Sequence, residues 1–358
     1  MKALCAFGSL LILLSCGLGQ AQEPKADDFA KTLSDAKAKG LGWLVQHQEK
    51  DGSWGKTHTI AVTSWAVLTF LSATDEPFSG AHASALARGI AFLRANQKDG
   101  MYKTQGHSWI HLQGFATLAL AETYGRSLRC KVKPDMDAAN LKKIVAQAVK
   151  IIGQNQSASG GWWYTPGDPN NHEGSTTVCA VQAIVSAANF KIARDDDVLD
   201  KGFEYLKKCQ TKEGGFNYRL GDGTNMKEGT AAAVATLGLM QKFDFQVMIN
   251  GYNFLQKITP TAVSQGGFPY YGHFYGTMGM HLLWQEYRPD KEFSSKTQAY
   301  IKATQKDLIS WQQKDGSFPV KGWATSSENA GYATAFALMA LYVPESRLSI
   351  YNRTPPKL

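Results

Sequence analysis

Cysteine is scarce in this 358-residue chain, with five in all. Cys5 and Cys16 fall at the apolar N-terminus, leaving Cys130, Cys179 and Cys209, an odd set that cannot build a disulfide framework. Cys179 stands among small apolar residues, where a buried, inert thiol is the ordinary outcome. Charged residues make up only 19% of the chain against 44% hydrophobic ones, which argues against disorder and leaves enough apolar side chain for a sizeable core. The net charge is +8, but the lysines are scattered and never cluster with interleaved aromatics, so no nucleic acid partner is expected. Loose attraction to a membrane surface is compatible with that surplus.

The N-terminal apolar run, Ala3 to Leu14, is too short to span a bilayer. It follows Met1-Lys2 and precedes Ser15-Cys16-Gly17, the layout of a secretory signal peptide. Two cuts stay open. Gly19-Gln20-Ala21 places small residues where signal peptidase needs them, while Leu13-Leu14-Ser15-Cys16 resembles a bacterial lipobox, whose Cys16 would carry lipid. The expectation is an exported chain, either periplasmic or a membrane-anchored lipoprotein. Its leader would cover residues 1–21, a polar linker 22–34, the folded body 35–347 and a tail 348–358.

What the body has in abundance is self-similarity. Six segments match: Gln48-EKD-Gly52-Ser-Trp54, Gln97-KD-Gly100-Met-Tyr102, Gln156-SAS-Gly160-Gly-Trp162, Gln210-TKE-Gly214-Gly-Phe216, Gln265-Gly266-Gly267-Phe268 and Gln312-QKD-Gly316-Ser-Phe318. Their glycines stand 48, 60, 54, 52 and 50 residues apart. Before each motif lies an amphipathic helical pattern, as in Leu199, Phe203 and Leu206. After it come a loop and a second helical stretch that is apolar on nearly every side, as in Tyr332-ATAFALMALY. A helix apolar all round must be buried all round. One helix of each kind per unit predicts an all-α fold, an α/α toroid of six inner helices ringed by six outer ones. The motif glycine is expected to supply the left-handed turn that ends the outer helix, and the glutamine and aromatic to stitch one pair to the next.

This repeat resembles that of the prenyltransferase and squalene oxidase repeat superfamily, shared by squalene–hopene and other triterpene cyclases, and the resemblance covers nearly all of residues 35–345. Gln113-GFATLALAETYG, Gly160-GWWYTPGDP and Gly174-STTVCAVQAI are similar to an exported, single-domain, squalene-cyclase-like group of environmental bacteria. The resemblance implies a terpenoid cyclase-like or protein prenyltransferase-like barrel and an isoprenoid or other hydrophobic small molecule as partner. It also exposes two departures. Where class II cyclases carry Asp-x-Asp-Asp-Thr, this chain reads Glu173-Gly174-Ser175-Thr176-Thr177, with Ser175 at the position of the central acid. The prenyltransferase zinc pattern Asp-x-Cys is missing, since Leu128, Thr177 and Lys207 precede the three cysteines at that spacing.

Polar residues near the starts of the predicted inner helices remain as candidates. Glu173, Glu228 and Glu328 are the candidate catalytic carboxylates of a divergent cyclase or transferase, or of a carbohydrate-active toroid. His107, Trp109, His111, Trp163, Tyr164, Tyr271, His273 and Trp323 are the candidate ligand-binding residues. Each has a plainer account: glutamates complement helix dipoles, histidines satisfy backbone groups and aromatics pack between helices. Asp195-Asp196-Asp197 is expected to cap an outer helix. His107 and His111 are spaced for one helical face and with His273 or a glutamate could bind zinc, but no third ligand is assigned to the pair, so no metal and no cofactor is assigned.

Overall fold

The computed structural model describes residues 26–103, 108–258, 260–322 and 330–354. The inner helices are α2 (Thr59–Ala73), α4 (Trp109–Arg129), α6 (Gly174–Asn189), α8 (Lys227–Leu239), α11 (Pro269–Tyr287) and α13 (Ala330–Tyr342). The outer ones are α1 (Ala26–Gln46), α3 (Ala83–Ala95), α5 (Ala138–Gln154), α7 (Asp196–Cys209), α9 (Gln246–Lys257) and α12 (Lys291–Trp311). A short helix, α10 (Pro260–Ser264), and a two-residue-strand hairpin, Gln97–Lys98 against Met101–Tyr102, lie between them. Because α1 starts at Ala26, most of the expected linker belongs to the first outer helix.

The ring closes as the apolar pattern requires. Each inner helix packs on two inner neighbours, α2 on α4, α4 on α6, α6 on α8, α8 on α11, α11 on α13 and α13 back on α2. Every residue of α13 from Gly331 to Tyr342 is buried. Small side chains set the spacing: a Cβ added to Gly114 of α4 would stand 2.6 Å from Cys179 Sγ on α6. Outer helices bury one stripe only, and on α7 that stripe includes Leu199, Phe203 and Leu206. Asp195 caps α7, accepting the Val198 N–H at 3.1 Å, as its sequence position implies.

The motif works as a coupling between helix pairs. Gln156 Nε2 donates to Gly160 O at 2.8 Å in its own turn and to Val198 O at 2.9 Å on the next outer helix. Gln48 bridges Gly52 and Ala85 in the same way, and Gln210 bridges Gly214 and Val247. Gln312 closes the circle, donating to Gly316 O and to Ala36 O on α1 at 2.8 Å. The aromatic is buried, and its backbone N–H is taken by a threonine one turn into the following inner helix: Trp54 by Thr63, Trp162 by Thr177, Phe216 by Thr230 and Phe318 by Thr334.

The glycine does something other than end the helix. The α5 helix stops at Gln154, and Gly160 lies several residues further on, at φ +91°, with its α-carbon pressed against the next outer helix. A Cβ there would stand 2.3 Å from Lys201 O. In the second unit Gln113 of α4 replaces the motif glutamine, donating to Gly100 O and accepting the Tyr102 N–H. The fifth unit departs further: Phe268 is 36% exposed, and its N–H donates to Glu228 Oε1 at 3.1 Å.

Beyond α13 the chain forms a floor. The chain from Val343 to Thr354, which includes the described part of the expected tail, threads beneath the C-terminal ends of the inner helices through two 3-10 turns, Val343–Glu345 and Ser349–Tyr351. Buried Glu122 of α4 accepts the Ser349 N–H and hydroxyl and the Ser186 hydroxyl. Asn189, Gln285 and Gln241 hold Ser349, Tyr351 and Arg353 from three other sides.

The coupling predicts that Gly160→Ala, which combines a left-handed backbone with a clash against an immovable carbonyl, destabilises the fold by about 2–4 kcal/mol. Denaturant unfolding of the variant beside wild type measures it, and an unchanged midpoint would contradict the docking role.

Candidate functional site

Glu173 sits at the N-cap of α6, held extended by its N–H bond to Trp162 O at 2.9 Å. Its side chain turns back over the helix start. Oε1 accepts the Thr176 N–H and the Ser175 hydroxyl, each at 2.6 Å, and Oε2 accepts the Ser175 N–H at 2.7 Å. Ser175 then hands the network on to α4: His111 Nε2 lies 3.0 Å from Ser175 Oγ, and His111 Nδ1 lies 2.6 Å from Ser108 Oγ. The Tyr164 ring stands 5.7 Å from the His111 ring, with its hydroxyl 2.6 Å from that of Tyr218.

Glu173 is fully buried, and that burial raises its carboxyl pKa above the ordinary value despite the donors around it. Burial and the nearby Glu173 carboxylate likewise raise the Tyr164 phenol. Burial pushes the Cys179 thiol well above its usual range, which makes it inert, as its apolar neighbours imply.

These groups border a cavity of about 350 Å³ among the inner helices, at the small end of ligand pockets. Much of its wall is aromatic: Trp65 of α2, Phe115 of α4, Tyr271 of α11, and Tyr332 and Phe336 of α13. Trp65 packs on Phe336 at 4.5 Å and on Phe115 at 5.0 Å. The polar exceptions are the Glu173 network, His58, Asn217 and Glu228. No lysine or arginine lines the cavity among the described residues.

Of the sequence candidates, Glu173, Glu228, His111, Tyr164 and Tyr271 come together here. Three do not. Trp109 is buried with Nε1 donating to Tyr102 O at 3.1 Å, so it fastens α4 to the hairpin. Trp163 is covered by the Arg219 guanidinium, 4.4 Å above its ring. His273 points outward between inner and outer helices, 2.9 Å from Ser264 Oγ and 5.2 Å from the Trp311 ring. There burial lowers its pKa to about 3 and keeps it neutral. His107, Trp323 and Glu328 lie outside the described residues. Among the described residues no group of three or more His, Cys, Asp or Glu could hold a metal.

Ser108, Ser175, Tyr332 and Phe336 were not among the candidates. Ser108 precedes His111 by three residues and Ser175 follows Glu173 by two, spacings that bring side chains together at a helix start. Tyr332 and Phe336 share a face of α13, but a helix apolar all round does not declare which face is inward.

The burial of Glu173 has a sign. Because its folded value lies above the unfolded one, the stability it contributes is present at low pH and lost as pH rises from the ordinary glutamate range through the raised value. Glu173→Gln is expected to flatten that decline in unfolding free energy. A wild-type stability that instead climbs across the same window would mean that the helix N–H groups hold an ionised carboxylate.

A family model described as the prenyltransferase alpha-alpha toroid domain matches residues 6–219 and 189–273. A terpene cyclase-glycosyl transferase fusion protein of Humicola fuscoatra is 22% identical over 262 residues, 62% of this chain and only 18% of the fusion. A type II terpene cyclase from Scytonema, in complex with geranylgeranyl dihydroxybenzoate, superposes with a TM-score of 0.55 at 16% identity, covering 90% of this chain and all of the other. An alpha-1,6-mannanase from Salegentibacter reaches 0.60 at 12% identity, covering 89% of this chain and all of the other. At such identities the likeness is one of fold, and it spans lipid and sugar chemistry alike.

Proposed function

This chain belongs to the prenyltransferase alpha-alpha toroid family, and from that premise we propose that its central chamber binds a small apolar molecule of isoprenoid type. The observation that supports this most directly is the wall: nine aromatic rings and aliphatic side chains such as Val62, Leu112 and Val178 line a space with polar groups gathered at few points. Such a wall gains by removing apolar surface from water, at roughly 25 cal/mol per Å². It offers little to the hydroxyls of a sugar, although the mannanase has the same fold.

Titrating the full-length protein with farnesol and with squalene tests the proposal, with native mass spectrometry and tryptophan fluorescence as readouts. A one-to-one complex accompanied by a changed Trp65 signal is expected. No complex with either compound would overturn it.

A second reading is favoured by the raised Glu173 carboxyl, a buried acid beside an apolar chamber, which is the setting of a general acid. Under it Glu173 protonates a bound alkene in place of the missing aspartate, and Ser175 and His111 position it. Glu173→Gln then abolishes turnover of a bound polyprene while leaving its binding in place. Equal turnover by variant and wild type would remove Glu173 from that role.

The proposal includes export, on the strength of the charged, apolar and small-residue order of residues 1–21. If Cys16 carries the anchor, Cys16→Ala moves the protein from the membrane fraction to the soluble one. An unchanged distribution would leave cleavage after Ala21 as the remaining route.

A further inference from the structure

The chamber's charge pattern says more about its occupant than its apolarity does. Two carboxylates, Glu173 and Glu228, border it, and no lysine or arginine does among the described residues. The two are held differently. Both oxygens of Glu173 are occupied by hydrogen bonds from α6. Glu228, only 6% exposed, spends Oε1 on the Phe268 N–H, while its Oε2 receives no hydrogen bond among the described residues. Oε2 keeps contact with the space that Glu228 lines, so the donor it lacks has to come from there, while the Gly266 and Gly272 backbones pack against the rest of its side chain. Lining the same space are the rings of Trp65, Phe115, Tyr271, Tyr332 and Phe336, whose π-faces attract cations.

From this arrangement, which rests on the chamber proposed above, we infer that the ligand carries an ammonium head on its apolar body, with the head set at Glu228, and that phosphate and diphosphate esters are excluded. An ammonium ion supplies the donor that Oε2 lacks and gains from the rings. A phosphate would meet the Glu228 carboxylate with no counter-charge beside it, a repulsion that desolvation amplifies. A neutral alcohol can donate to Oε2 but takes nothing from the charge or from the aromatic faces.

Three probes with one apolar body separate these cases: farnesylamine, farnesol and farnesyl phosphate, titrated against the full chain at neutral pH. The amine is expected to bind about tenfold more tightly than the alcohol, the size of a desolvated cation–carboxylate and cation–π preference, and the phosphate not to bind. Glu228→Gln, whose amide oxygen can still accept the Phe268 N–H, is expected to erase the amine's advantage over farnesol. An amine no tighter than the alcohol, binding of the phosphate, or an advantage that survives in Glu228→Gln overturns the inference and leaves the chamber standing if farnesol still binds. Failure of all three probes overturns the chamber as well. The ranking on wild type decides even if the variant does not fold.

Discussion

One side-chain amide holds most of the helix pairs to the next. In four of the six units a glutamine Nε2 donates at once to the carbonyl of its own glycine turn and to a carbonyl of the following outer helix. The turn lies flat on that helix only because the glycine has no β-carbon to hold it off. With the turn docked, the next aromatic is driven into the core, and its backbone N–H meets a threonine of the inner helix. Everything inward of that joint, including the hollow at the centre, inherits its geometry.

The joint also locates the polar groups of the chamber. In the third unit the chain leaves Trp162, bonds back to it through Glu173 N, and turns directly into α6, so the cap residue of that helix points at the interior. In the fifth unit the joint is broken. The place of the threonine is taken by Glu228 of the neighbouring inner helix, and Phe268 stays partly exposed. A carboxylate thereby enters the wall where four other units have a threonine hydroxyl and the second has the Gln113 amide.

How much of this could be read from residues alone varies with the physics involved. The ring was legible, because six evenly spaced motifs and helices without a polar face admit few other solutions. The glycine's φ was legible but its task was not, since the contact that demands it comes from a helix forty residues away. The floor was illegible: Ser349, Tyr351 and Arg353 show no period, and their seats on Glu122, Gln285 and Gln241 are polar contacts that carry no pattern. The chamber was legible in half. Glu173, His111, Tyr164 and Tyr271 announce themselves at helix starts, whereas Tyr332 and Phe336 are indistinguishable by pattern from residues on the other sides of α13. Trp109 and His273 share that start position, yet one faces the hairpin and the other an outer helix.

The bond from Gln312 to Ala36 joins the two ends of a repeat array. Stacked repeats in an open array grow from any point and need special end units to shield their last greasy face. A circle has no such ends, and no arc of it is a finished object. Until α12 and α13 have been synthesised, α1 and α2 lack their partners on one side, so a nascent chain carries an unshielded apolar flank up to its last helices. Assembly is therefore a single closing event late in synthesis, and the seam between first and last units is where the whole circle is won or lost.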